Sequence, residues 1–112
     1  MRDILEDIKK GSRGVVGSFI IEKKNGNPII SDLPELLIEE IKKVSFNLSL
    51  LSSWRKLKSI EKIQISAEEG NIVARCDESY ILACITSKDA NMGFLHILLK
   101  KSLNIFKSRL GG

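Results

Sequence analysis

Tyr80-Ile81-Leu82-Ala83-Cys84-Ile85 is apolar at its odd and its even positions alike. Strand side chains alternate between two faces, so this strand is buried on both and needs a layer on each side. The connections around it are short turns rather than crossovers, which favours antiparallel neighbours. These six residues therefore predict an α/β sandwich (α+β), an antiparallel sheet between helices.

Strands are expected over about 60–67, 71–76 and 79–87, turned by Glu68-Glu69-Gly70-Asn71 and Asp77-Glu78-Ser79. A closing helix begins near Asn91, with Met92, Leu95, Leu99, Phe106 and Leu110 as its core stripe. Upstream, Ile4, Leu5 and Ile8 mark one side of a short helix over 1–10, stopped by Gly11. The β-rich run Val15-Val16-Gly17-Ser18-Phe19-Ile20-Ile21 follows within a strand from Gly14 to Glu22. Asn25-Gly26 tolerates positive φ and turns the chain into Pro28-Ile29-Ile30. Pro28 lacks an N–H, which places that strand at its start or on a sheet edge. Asp32 as cap, with Pro34 and Glu35 in the first turn, starts a helix that runs to about Trp54. Leu37, Ile41, Val44, Leu48 and Leu51 lie on its sheet-facing side. The order is α-β-β-α-β-β-β-α in a single domain spanning 1–112.

Composition narrows the function. The chain has 112 residues, 43% hydrophobic and 29% charged, with 18 Lys and Arg against 14 Asp and Glu. This is the make-up of one globular domain, not of a disordered chain. A net charge of +4 with 5% aromatics is far from the basic, aromatic-studded stripe of a nucleic-acid binder. No apolar run reaches the roughly 18–20 residues that cross a bilayer, so no membrane insertion is expected. Acids interrupt Met1-Arg2-Asp3-Ile4-Leu5-Glu6-Asp7, unlike a signal peptide, and a cytoplasmic location is expected.

The parts for chemistry are few. Gly11-Ser12-Arg13-Gly14-Val15-Val16-Gly17 has glycine-loop spacing, but it leads from a helix into a strand, the reverse of a phosphate loop. Pairing Cys76 with Tyr80 and Cys84 with Ile72 offsets the two thiols by about four residues, roughly 13 Å, too far to bridge. They read as buried apolar thiols. His96 sits at the border of the last helix's apolar face, with no nucleophile or orienting group identifiable beside it. Glu39-Glu40, Glu68-Glu69 and Asp77-Glu78 are surface or turn acids. No catalytic set, no metal site and no cofactor is expected. Arg55, Lys56 and Lys58 complement the end of the long helix.

One feature exceeds the needs of a single copy. At 100° per residue, Leu36, Leu50 and Trp54 lie away from the sheet-facing wedge, accompanied by Lys43 and Asn47, with Phe46 further out. Ser45, Ser49, Ser52 and Ser53, with Glu35 and Lys42, form the expected polar face. A second apolar stripe marks an interaction site; the alternative is that Trp54 and Leu50 fold under a neighbouring loop. The strand Ile60-Glu61-Lys62-Ile63-Gln64-Ile65 is positioned as an edge able to accept another strand.

In order and spacing, Gly17-Ser18-Phe19-Ile20-Ile21, Asn25-Gly26, Pro28-Ile29-Ile30-Ser31, Tyr80-Ile81-Leu82-Ala83-Cys84-Ile85 and Asn91-Met92-Gly93-Phe94-Leu95 resemble the Roadblock family. That family comprises dynein-associated light chains and prokaryotic regulators of Ras-like GTPases. The resemblance covers nearly the whole chain. It implies a profilin/longin-like, five-stranded antiparallel sheet with the long helix on one face and the terminal helices on the other. It also implies a homodimer in which second helices pack together and third strands pair. For function it implies binding and regulation of a small Ras-like GTPase, or scaffolding. Some members activate a GTPase by repositioning the partner's own residues, without an arginine finger. The long helix departs from many relatives in being Leu- and Ser-rich and in carrying Trp54.

The expected protein is thus a non-enzymatic homodimer. Leu36, Lys43, Asn47, Leu50 and Trp54 line its interface, and Ile63 and Ile65 lie on the paired edge. Its partner is a small Ras-like GTPase; the alternative is a structural adaptor with no effect on nucleotide turnover.

Overall fold

The computed structural model describes residues 2–33, 38–54 and 60–111. The elements are α1 (Arg2–Gly11), β1 (Val15–Glu22), β2 (Pro28–Ser31), α2 (Ile38–Ser52), β3 (Lys62–Ser66), β4 (Gly70–Cys76), β5 (Tyr80–Ser87) and α3 (Met92–Gly111). The five strands form one antiparallel sheet in the order β2-β1-β5-β4-β3, so β5 is central and β2 and β3 are its edges. This is the predicted α+β sandwich.

Two cores follow from strand alternation. On one face Ile20, Val73, Leu82 and Cys84 meet Ile4, Leu5 and Ile8 of α1 and Leu95, Leu99, Leu103 and Phe106 of α3. On the other, Phe19, Ile21, Ile63, Ala74, Ile81 and Ala83 meet Ile41 and Leu48 of α2. Tyr80 packs edge-on against Phe106 with ring centroids 5.1 Å apart. Asn91 caps α3 by accepting the Phe94 N–H at 3.0 Å. Arg109 and Asp3 join the end of α3 to the start of α1 at 2.8 Å.

The structure corrects several details. Gly11 ends α1, but the positive φ lies at Gly14, whose carbonyl accepts the Ser87 N–H at 2.7 Å. Leu110, expected in the core stripe of α3, is exposed, and Leu103 is buried in the same layer. Asp32 extends the β1–β2 ladder, and the first turn it is expected to cap lies outside the described residues. Its Oδ1 accepts the Ser18 N–H at 2.6 Å, and its own N–H donates to the Ser18 carbonyl at 3.0 Å. Residues 34–37, which include Pro34, Glu35, Leu36 and Leu37, lie outside the described residues, as do Arg55, Lys56 and Lys58.

The β4–β5 register differs by one residue from the expected one. Cys76 pairs with Ile81 and Cys84 with Val73, because the turn is centred between Glu78 and Ser79, where the Asp77 N–H donates to the Tyr80 carbonyl at 3.0 Å. The Asp77 carboxylate holds that turn by accepting the N–H groups of Ser79 and Tyr80, each at 2.7 Å. A one-residue slip exchanges faces. Cys84 therefore faces α1 and α3, and Cys76 faces α2.

Candidate functional site

The long helix is rotated from the orientation its leucines suggest. Ile41, Ser45, Leu48, Ser49 and Ser52 are buried, with Val44 half-buried beside them. At 100° per residue these six span an arc of about 140°. The serine face expected at the surface is thus pressed inward, and Leu51, expected to face the sheet, is exposed.

Volume decides the orientation. The five residues between β1 and β2 close over α2, where the Ser49 hydroxyl donates to the Lys23 carbonyl. Gly26, at φ 75°, comes so near that an added Cβ would lie 2.9 Å from the Ser45 carbonyl oxygen. A helix approached this closely by backbone needs small side chains, and serine can also satisfy buried carbonyls. Ser52 does so by donating to the Ser49 carbonyl at 3.0 Å.

Turning the serines inward leaves Phe46, Leu50 and Trp54 outward, with Lys43 and Asn47 between them. The five fall within about 100° of arc, directly opposite the buried face. Leu50 is 57% exposed and Trp54 52%. Trp54 lies just past α2, but its N–H donates to the Leu51 carbonyl at 3.2 Å and keeps the helical path. Asn47 spends its amide on the Lys43 carbonyl at 3.0 Å, within the same helix. Of the residues expected at an interface, Lys43, Asn47, Leu50 and Trp54 are therefore brought together, and Leu36 lies outside the described residues. Phe46, set further out by helical angles, forms one end of the stripe and is exposed.

Ile63 and Ile65 lie on β3 and point to the α2 side of the sheet, opposite Ala74 and Ile72. Ile63 is buried there; Ile65 is 44% exposed. Ile65, Ile72 and Ile85 are cross-strand neighbours on β3, β4 and β5, and the latter two are only half-buried. This corner of the apolar sheet face is left partly open.

The edge itself has a definite polarity. The Glu61 carbonyl accepts the Cys76 N–H at 2.8 Å, and the Ala67 N–H donates to the Gly70 carbonyl at 2.9 Å. Backbone groups alternate along an antiparallel strand. Ile63 and Ile65 thus turn their backbone groups toward β4, while Lys62, Gln64 and Ser66 present theirs to the free edge.

The candidate chemical groups are otherwise engaged. Burial pushes the thiol of Cys76 up to about 11 and that of Cys84 up to about 12, so both stay protonated and unreactive at neutral pH. His96 Nε2 lies 3.2 Å from Gln64 Oε1. Burial, with Lys62 and Arg75 nearby, holds the pKa of this imidazole below its usual value. Glu39 lies 3.7 Å from Lys42 on the surface of α2. Among the described residues, no three His, Cys, Asp or Glu side chains converge as a metal site.

No family model matches the sequence, and no curated protein matches it. Solved structures do. A Roadblock/LC7 domain from Streptomyces avermitilis superposes with a TM-score of 0.85 at 7% identity, covering 100% of this chain and 98% of that one. MglC from Myxococcus xanthus gives 0.73 at 14% identity over 96% of this chain and 97% of its own. An MglB described as having a tetrameric arrangement gives 0.74 at 15% identity over 90% and 80%.

Proposed function

We propose that this chain, which has the Roadblock/LC7 fold, works as a homodimeric binding module for a small Ras-like GTPase and performs no chemistry of its own. The observation that carries the reading is the outward stripe Phe46, Leu50 and Trp54 on α2, in a chain whose β3 is an edge strand. A second copy fits both features by one two-fold operation. Antiparallel pairing centred on Gln64 exchanges the free backbone groups of Lys62, Gln64 and Ser66. It also sets Ile63 of one copy beside Ile65 of the other, beneath two adjacent α2 helices.

Magnitudes favour using both features. Finishing the burial of Leu50, Trp54, Phe46 and Ile65 contributes about 1 kcal/mol per side chain. The eight side chains of a dimer then supply roughly 8 kcal/mol, within the range of about 4–15 kcal/mol that association costs. The helix stripe alone is marginal, and the strand pairing with its covered sheet corner supplies the surplus.

The cytoplasmic dimer would act on its GTPase by differential affinity for one arrangement of the switch segments, using surface and not a catalytic side chain. MglB in its tetrameric arrangement is a relative in fold that self-associates. The test is GTP hydrolysis and nucleotide release by the cognate GTPase, with and without this chain. A changed rate in either assay supports regulation. Binding with both rates unchanged makes the chain a structural adaptor instead.

A further inference from the structure

The face of the sandwich opposite α2 carries a second exposed apolar feature with a different electrostatic character. α3 spans 20 residues with Lys100, Lys101, Lys107 and Arg109 and no acid. Its buried side is Leu95, Leu99, Leu103 and Phe106. Phe94, Ile97, Lys101 and Ile105 all fall within about 80° of arc on the other side. Ile97, at 69%, is the most exposed large hydrophobic among the described residues, and Phe94 and Ile105 are exposed at 46% and 41%.

Charge is concentrated on the same layer. Segments 2–13 and 92–111 hold eight Lys and Arg against three Asp and Glu, a net +5, which exceeds the +4 of the whole chain. One of those acids, Asp3, is held by Arg109. The rest of the sequence sums to −1.

We infer that the outward face of α3 docks on an anionic phospholipid surface, lying along it without crossing. No helix of the described residues is long and apolar enough to cross a membrane. Apolar side chains flanked by lysines and free of acids match a bilayer interface, where Phe94, Ile97 and Ile105 enter the headgroup boundary and Lys100 and Lys101 reach lipid phosphates. A polyanion such as nucleic acid would complement the charge but leave Ile97 in water. The docking face is separate from α2 and β3, so it does not depend on the dimer. In a dimer paired through β3, both copies of α3 lie on one side of the joined sheet and bind the same membrane with added avidity.

Vesicle flotation of the full chain tests this, using phosphatidylcholine vesicles with and without about one-third phosphatidylserine. The expected result is binding to the anionic vesicles, loss of binding as salt is raised, and little binding to pure phosphatidylcholine. Lys101→Glu should lower partitioning by about fivefold or more, and Ile97→Asp should lower it while leaving the melting temperature unchanged. Leu50→Glu/Trp54→Glu, which addresses the dimer, should retain salt-sensitive binding. Failure of the wild-type chain to bind anionic vesicles at low salt overturns the inference. So does a drop in oligomeric mass with Ile97→Asp, which would assign the stripe to protein contact.

Discussion

The Ser49 hydroxyl donates a hydrogen bond to the Lys23 carbonyl, tying the interior side of α2 to the turn after β1. This contact, with the close approach of Gly26, holds the serine side of the helix inward. With Ser45, Ser49 and Ser52 inward, Leu50 and Trp54 have nowhere to point but outward.

Ser49→Ala removes the donor and leaves a part-buried carbonyl short of a partner. The expected loss is about 1–2 kcal/mol, read from urea midpoints at constant m. Gly26→Ala must adopt φ 75° against the Ser45 carbonyl, and about 1–3 kcal/mol is expected. A neutral outcome at both positions would mean the turn does not set the helix.

The polarity of β3 predicts opposite effects for two adjacent prolines. Gln64→Pro deletes an N–H that faces the free edge, so the subunit should stay folded and lose self-association. Ile63→Pro deletes an N–H directed at β4 and should destabilise the subunit by about 3 kcal/mol or more. Circular dichroism with sedimentation velocity separates the two results; equal unfolding by both variants would refute the assigned polarity.

The thiols predict an alkaline limit. Unfolded cysteine ionises near pH 9.0, whereas Cys76 and Cys84 in the fold hold their protons to about 11 and about 12. The folded state binds more protons in that window, so stability is full below pH 9 and falls as pH rises through it. Denaturant titrations across this range should show the fall, and Cys76→Ala/Cys84→Ala should flatten it. A thiol reagent at pH 8 should label neither residue until denaturant is added.

His96 adds an acid limit of the opposite sign. Its pKa is depressed in the fold, so the unfolded chain takes up a proton first as pH falls below about 6.5. Stability should decline through that window, and His96→Gln should remove the dependence.

Much of the architecture was legible because burial on both faces leaves a simple mark. Tyr80–Ile85 lacks polar alternation, and that fixed the central strand and the layer on each side. The rotation of α2 was less legible. Serine reads as polar, yet small volume at Ser45, and small volume with a bond to a carbonyl at Ser49 and Ser52, matter more than preference for water. The β4–β5 register depended on where the turn is centred, a one-residue change in pairing that puts Cys76 on the opposite face from Cys84. Leu110 continues the core periodicity of α3 yet is exposed. At the candidate site, Leu50 and Trp54 could be found because surplus hydrophobicity appears in a helical projection. The polarity of the β3 edge could not, since backbone direction follows from pairing and not from side-chain type.

Sedimentation velocity of the full chain at micromolar concentration, beside Leu50→Glu/Trp54→Glu, tests the proposed self-association. The wild-type chain should sediment at about twice the 12.5 kDa subunit mass, and the variant as a folded monomer with an unchanged far-ultraviolet spectrum. A wild-type chain that remains a 12.5 kDa monomer at high concentration, with Trp54 still open to a fluorescence quencher, would contradict it.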